Sequence, residues 1–247
     1  TLARTVRGVL ADRTTIVMSK TRLFEAVKNL DLAQTKQILE AKPELQKVWN
    51  DQGRNLLHLA CSADCKKLGK PRAAATRMVS FLVERGFDIE EEGGAGPDLC
   101  KPIWFAVAKG RNLAVVKLLL RRGAKPTGLY AAGWWEDIDI LNLLVDAGAD
   151  KEIVVGVTPF LACWGWKKFK AAKALALKGA NVNVQDKRGR TALHIGIEKE
   201  FEPSLVKWLV QHGASPDVPD RDGVTARLKA SRKRNRKFLA AIEAGGA

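Results

Sequence analysis

Four residues in one short stretch, His58, Cys61, Asp64 and Cys65, have the types and the spacing of metal ligands, and on a continuous helix they would share one face. The string LGKPR (68–72) places a lysine after a glycine, yet the earlier glycine and the following Ser or Thr of a phosphate-cradling loop are missing. No Ser/His/Asp set and no pair of carboxylates is spaced for nucleophilic or acid–base work. Two features suit binding better than catalysis. Tryptophans come in two close pairs, Trp134 with Trp135 and Trp164 with Trp166, and tryptophan is enriched at interface hot spots because it buries a large area at little entropic cost. Residues 227–237, RLKASRKRNRK, carry seven cations (Arg227, Lys229, Arg232, Lys233, Arg234, Arg236 and Lys237) and no acid, a run that suits phosphates or simply a solvated face.

The elements that must position these residues emerge from a repeated pattern. Aligned at one position, the strings TRLFEA, NLLHLA, KPIWFA, TGLYAA, TPFLAC, TALHIG and TARLKA begin at Thr21, Asn55, Lys101, Thr127, Thr158, Thr191 and Thr225. Each predicts a short helix; Thr191 can cap its own, and Thr158-Pro159 pairs a capping hydroxyl with a proline where a missing N–H costs nothing. A second apolar helix follows, such as the one carrying Val115, Val116 and Leu118–Leu120, and glycines at 86, 123, 148, 179 and 213 suit its left-handed stop. The clearest copy spans 186–217, with Asp186 and Gly189 in a turn before Thr191. Small residues at Ala26, Ala60, Ala106 and Ala132 allow neighbours to approach closely, and one unit cannot bury its own apolar face, so several must stack. The last unit, with Phe238, Leu239 and Ile242 facing inward, is expected to cap the array.

These strings and the stops RGFDIE, RGAKPT, AGADKE, KGANVN and HGASPD resemble the signatures of ankyrin repeats, at a period near the ~33 residues of that family. The resemblance implies an all-α solenoid of helix–turn–helix units with β-turn fingers over residues 21–243, preceded by a leader at 1–20 and followed by a short tail at 244–247. Residues 1–17 are basic and threonine-rich, like a transit peptide, but show no cleavage logic; a disordered leader or residues upstream of a natural start at Met18 is the expectation. The resemblance also assigns His58 and His194 to a position where the imidazole bonds turn backbone, and Cys61 to a small buried one. No metal, cofactor or active site is therefore expected. His212, next to a helix-stop glycine, suits the helix dipole.

Two departures from the period stand out. Asn55 and Lys101 are 46 residues apart, with an insertion around 64–76 and a glycine-rich turn at 91–100, whereas only 26 separate Lys101 from Thr127, where a projecting turn is missing. In this family the end of the first helix and the finger tips hold the partner. That places Trp134, Trp135 and Trp166 on the concave face with Trp164 nearby, Val154 and Val155 on an apolar finger tip (153–157), and Lys187, Arg188, Arg190 and Lys199 on the rim. The alternative is that the tryptophans fill gaps left by irregular repeats.

Composition sets the remaining bounds. The net charge of +15 favours an acidic partner. An acidic protein surface is the leading expectation, with nucleic acid or another anionic surface bound through a basic stripe as the alternative; Lys66, Lys67, Lys70, Arg72 and Arg77 would add to such a stripe. Four cysteines without framework spacing point to a reducing, cytoplasmic setting, or a nuclear one in a eukaryote. No apolar run approaches the ~20 residues of a membrane span, and the chain is expected to be a monomer.

Overall fold

A computed structural model describes residues 19–94, 100–232 and 236–246, with the side chain of Arg232 excluded. The leader falls outside the described residues up to position 18. Fourteen α-helices follow one another in seven pairs among the described residues, with a 3-10 helix at Pro43–Lys47 after the second, and no β-strand is present there. They divide into two compact units, one ending at Gly128 and the other beginning at Leu129.

The first unit holds α1 (19–28), α2 (Leu32–Ala41), α3 (Leu56–Ser62), α4 (Arg72–Glu84), α5 (Pro102–Phe105, continued as a π turn over Ala106–Gly110) and α6 (Leu113–Arg121). Asp31 and Asn112 cap α2 and α6: their side-chain oxygens accept the backbone N–H groups of Gln34 (2.9 Å) and Ala114 (3.1 Å). Leu57, Met78, Leu82, Ile103 and Leu119 are fully buried, each removal from water contributing roughly 1.5–3 kcal/mol. The inserted segment differs from expectation. Arg72–Thr76 are the first turn of α4, and only 63–71 are irregular. Because α3 stops at Ser62, Asp64 and Cys65 leave the helical face they would need for metal binding, and no metal-holding cluster occurs among the described residues. Cys61 is buried, and desolvation pushes its thiol far above the ordinary range.

The second unit holds α7 (Leu129–Trp135), α8 (Ile138–Asp146), α9 (Pro159–Gly165), α10 (Phe169–Leu177), α11 (Ala192–Glu198), α12 (Pro203–Gln211), α13 (Ala226–Arg232) and α14 (Arg236–Gly246). Phe238 and Ile242 are buried and Leu239 is half-buried, while the 244–246 part of the expected tail is helical. All five expected stop glycines, Gly86, Gly123, Gly148, Gly179 and Gly213, take φ between 80° and 92°. The tight turns inside five pairs use a left-handed non-glycine residue instead: Leu30, Arg111, Glu136, Lys167 and Glu200.

Candidate functional site

The second unit gathers the sequence-predicted residues unevenly. On α7, Trp134 and Trp135 are 48% and 45% exposed, and Trp166, just after α9, is 40% exposed. Trp134 and Trp166 meet edge to face, with ring centroids 5.2 Å apart, and the Lys168 ammonium lies 5.5 Å from the Trp134 ring centre. Trp164 is a correction. It is fully buried, against Phe160, Phe169 and Phe201 at 6.4, 5.3 and 6.0 Å, so it belongs to the core and offers nothing to a partner. The two-residue spacing explains the split: about half a turn separates the two positions, so Trp164 lies on the side of α9 facing Gly196 of α11 while the chain leaves the helix before Trp166.

The apolar finger projects between α8 and α9, with Val154 and Val155 67% and 68% exposed. Tyr130, outside the tryptophan set, holds it in place. The Tyr130 hydroxyl accepts the Val155 N–H (3.0 Å) and lies within hydrogen-bonding distance of the carbonyls of Ile153 (2.9 Å) and Val157, to one of which it donates. Burial pushes the phenol above its ordinary pKa, although the Val155 N–H works against this, so the donor stays protonated at neutral pH. The signal was present in the register. Tyr130 follows Thr127 by three residues, as His58 follows Asn55 and His194 follows Thr191. The histidines do the expected job: Nδ1 accepts the N–H of Asn55 (3.3 Å) or Thr191 (3.2 Å), leaving Nε2–H to donate to the carbonyl of Glu91 (3.0 Å) or Val224 (2.9 Å). Thr127 itself caps nothing, because its hydroxyl is buried without a partner.

Together these elements wall a groove of about 490 Å3, bounded by Tyr130, Val155, Val157, Leu161, Trp166 and Ile195 and lined also by Asp186, Arg190 and Lys199. A second hollow, also about 490 Å3, adjoins it and shares Val155, Val157, Asp186 and Arg190, with Lys187 and Arg188 at its rim. The cations here are not equivalent. Arg190 is engaged internally by Asp186 (2.7 Å) and Glu198 (2.7 Å), which withdraws it from the rim role expected of it. Burial opposes ionisation of Asp186, but the Arg190 guanidinium and the Arg188 and Arg190 N–H groups hold its carboxyl below the usual range. Lys199 donates to the Gly165 carbonyl (2.8 Å), while Lys187 and Arg188 are exposed and form no ion pair among the described residues.

In the basic run, two of the cations are already paired within the fold. Arg227 pairs with Asp217 (2.8 Å), and Lys229 pairs with Glu198 and Asp220, so internal carboxylates already take both. Arg236 and Lys237 are exposed at the start of α14, whereas the Arg232 side chain and Lys233 and Arg234 lie outside the described residues. His212 stacks on Trp208 (3.9 Å), and its Nδ1 donates to the Trp208 carbonyl (2.7 Å). No helix among the described residues is long and apolar enough to cross a membrane.

Comparison with known proteins bears on the repeats and the fold. Residues 160–243 match the family model described as Ankyrin repeats (3 copies). A Caenorhabditis elegans protein named Intracellular phospholipase A2 is 24% identical over 249 residues, covering 85% of this chain but only 23% of that protein. The Saccharomyces cerevisiae protein named Probable 26S proteasome regulatory subunit p28 is 25% identical over 235 residues, covering 90% of this chain and 98% of its own. Among solved structures, the ankyrin repeat domain of Bcl-3, at 22% identity, superposes with a TM-score of 0.73 over 90% of this chain and 97% of that domain.

Proposed function

The chain is an ankyrin-repeat protein, and from that premise we propose that it is a non-enzymatic interaction module, an adaptor, scaffold or inhibitor of cytoplasmic location, that binds a partner protein on the concave face of its second unit. Ankyrin repeats generally mediate protein–protein interaction, and the fold is generally non-enzymatic. The observation that carries the reading is the joint exposure of Trp134, Trp166 and Val155 around a groove whose finger Tyr130 already holds. Solvent-facing tryptophans cost free energy unless something covers them, and a preordered finger lowers the entropic cost of covering them.

The test replaces Trp134, Trp135 and Trp166 by alanine and compares, by quantitative mass spectrometry, the proteins captured by the variant and the parent chain. Exposed positions should leave the fold intact, which a thermal melt checks. The expected result is selective loss of a defined set of partners. An unchanged set captured by a folded triple variant refutes the proposal.

A further inference from the structure

Charge around the groove narrows the chemistry of its occupant. We infer that the groove takes an extended segment of a partner protein in which an apolar side chain is followed or preceded, within a few residues, by acidic ones; this rests on the reading of the groove as a protein-binding site.

Three observations lead there. The first hollow is walled by aliphatic and aromatic side chains at a volume within the roughly 300–1,000 Å3 of ligand clefts, which suits one compact apolar anchor. Cations line or adjoin it. Lys187 and Arg188 stand at the adjoining hollow without an ion-pair partner among the described residues, and Lys199, which lines the first hollow, uses one donor on a carbonyl and keeps two. Finally, Asp186 is the one carboxylate among the described residues that lines either hollow, and its oxygens already accept the N–H groups of Arg188 (2.8 Å) and Arg190 (2.9 Å) and the Arg190 side chain. It is thus spent, with Glu198, on Arg190, and the charges of Lys187, Arg188 and Lys199 stay unopposed at the rim. An apolar slot lined and adjoined by unneutralised cations complements a segment that pairs an apolar side chain with nearby acidic ones.

The same cations would attract a nucleic-acid strand, but the surfaces between them do not suit one. Bases stack on open aromatic faces, and here the most exposed apolar groups are the valines of the finger, while the Trp166 ring is met by Trp134 and Tyr130 at 5.2 and 6.4 Å.

The experiment selects a phage-displayed library of random peptides on the immobilised full chain, discarding clones that also bind Val155→Asp. Affinities of a fluorescein-labelled winner are then measured by polarisation. The expected winners pair a large apolar residue with nearby Asp or Glu. The Lys187→Glu, Arg188→Glu double variant should weaken them about tenfold, and exchanging the peptide's acids for lysine should restore binding to that variant alone. Winners that depend on Val155 and Trp166 but show no acidic bias and ignore the charge reversal overturn this inference and leave the protein-binding reading standing. Failure to select any Val155-dependent peptide overturns both, as does a single-stranded DNA oligonucleotide that binds more tightly than any peptide and is lost in the double reversal. All three substituted positions are exposed, and a thermal melt of each variant confirms that loss of binding is not loss of fold.

Discussion

His194 and Tyr130 occupy the same register position in two repeats of one unit, and they solve one problem in different ways. Each ties the start of its helix to the backbone of the next turn. His194 does so from a fully buried ring, with both nitrogens used and nothing left to face solvent. Tyr130 is longer and half-buried: its hydroxyl reaches the finger, and its ring becomes a groove wall meeting Trp166. The surroundings follow suit. Around His194, Asp186, Arg190, Glu198 and Lys229 satisfy one another, whereas around Tyr130 two tryptophans and two valines remain open. Where the repeat pattern is best kept, polar groups close on themselves and the surface has little left to offer. Where the pattern is broken, apolar surface stays available for a partner.

The largest expected effect breaks this comparison at the backbone. A Cβ added at Gly133 would stand 2.4 Å from the Sγ of buried Cys163, while one at Gly196 would meet its nearest neighbour, Val206 Cγ2, at an ordinary 3.6 Å. Gly133→Ala is expected to destabilise by about 1–3 kcal/mol through overpacking. Gly196→Ala should be neutral, or stabilising by up to about 1 kcal/mol from helix propensity. Urea denaturation of both decides it, and a reversed order would show that the irregular repeats are not closely packed beneath their open face.

Next comes the self-closed charge network. Arg190→Met leaves Asp186, with 12% of its side chain exposed, and Glu198, 28% exposed, short of a partner, which after allowance for solvent is expected to cost about 1–2 kcal/mol. The network also sets an acid limit. Burial opposes ionisation of Glu198, but Lys229 and Arg190 hold its carboxyl below the usual range, as Arg190 does for Asp186. Depressed folded values mean stability that is present above the ordinary carboxylate pKa, ~3.9–4.3, and lost as pH falls below it. Arg190→Met should flatten that loss, as read from urea midpoints between neutral pH and acid.

The third occupant of the register, His58, gives a smaller effect in a different window. Burial pulls its pKa down, partly offset by the bond to the Glu91 carbonyl, so the unfolded chain takes up a proton that the folded chain refuses. Stability of the first unit should therefore fall as pH drops below ~6.5. Trp49, whose ring centroid is 5.9 Å from that of His58, provides the fluorescence signal, and His58→Gln should remove the step.

The helical pattern, the five stop glycines and the histidine ties were all legible, because capping residues, left-handed glycines and apolar spacing are local signals. The exposure of Trp134 and Trp166 was legible from helix position as well. Trp164 was not, because a residue two positions from an exposed one can turn inward, and only the presence of Phe169 and Phe201 decides that it does. The pairing of Arg227 with Asp217 and of Lys229 with Glu198 was equally hidden: composition counts charges, but only the fold says which are already neutralised. Tyr130 was readable by register yet masked by residue type, since the position is recognised by histidine.

Tyr130→Phe sharpens the comparison most finely, because it removes one oxygen and keeps the groove wall. Losing a partly exposed donor and acceptor should change global stability by no more than about 1 kcal/mol. The finger should respond more. Without the hydroxyl, the Val155 N–H loses its acceptor and turns to water, so amide exchange at Val155 should accelerate while exchange within α11 stays unchanged. A ligand must then supply the ordering that the hydroxyl had supplied, so a groove-binding peptide should bind Tyr130→Phe more weakly through a slower association, with little change in dissociation. If Val155 exchange is unaltered, Tyr130 is a wall and not a clasp, and the likeness between its role and that of His194 fails.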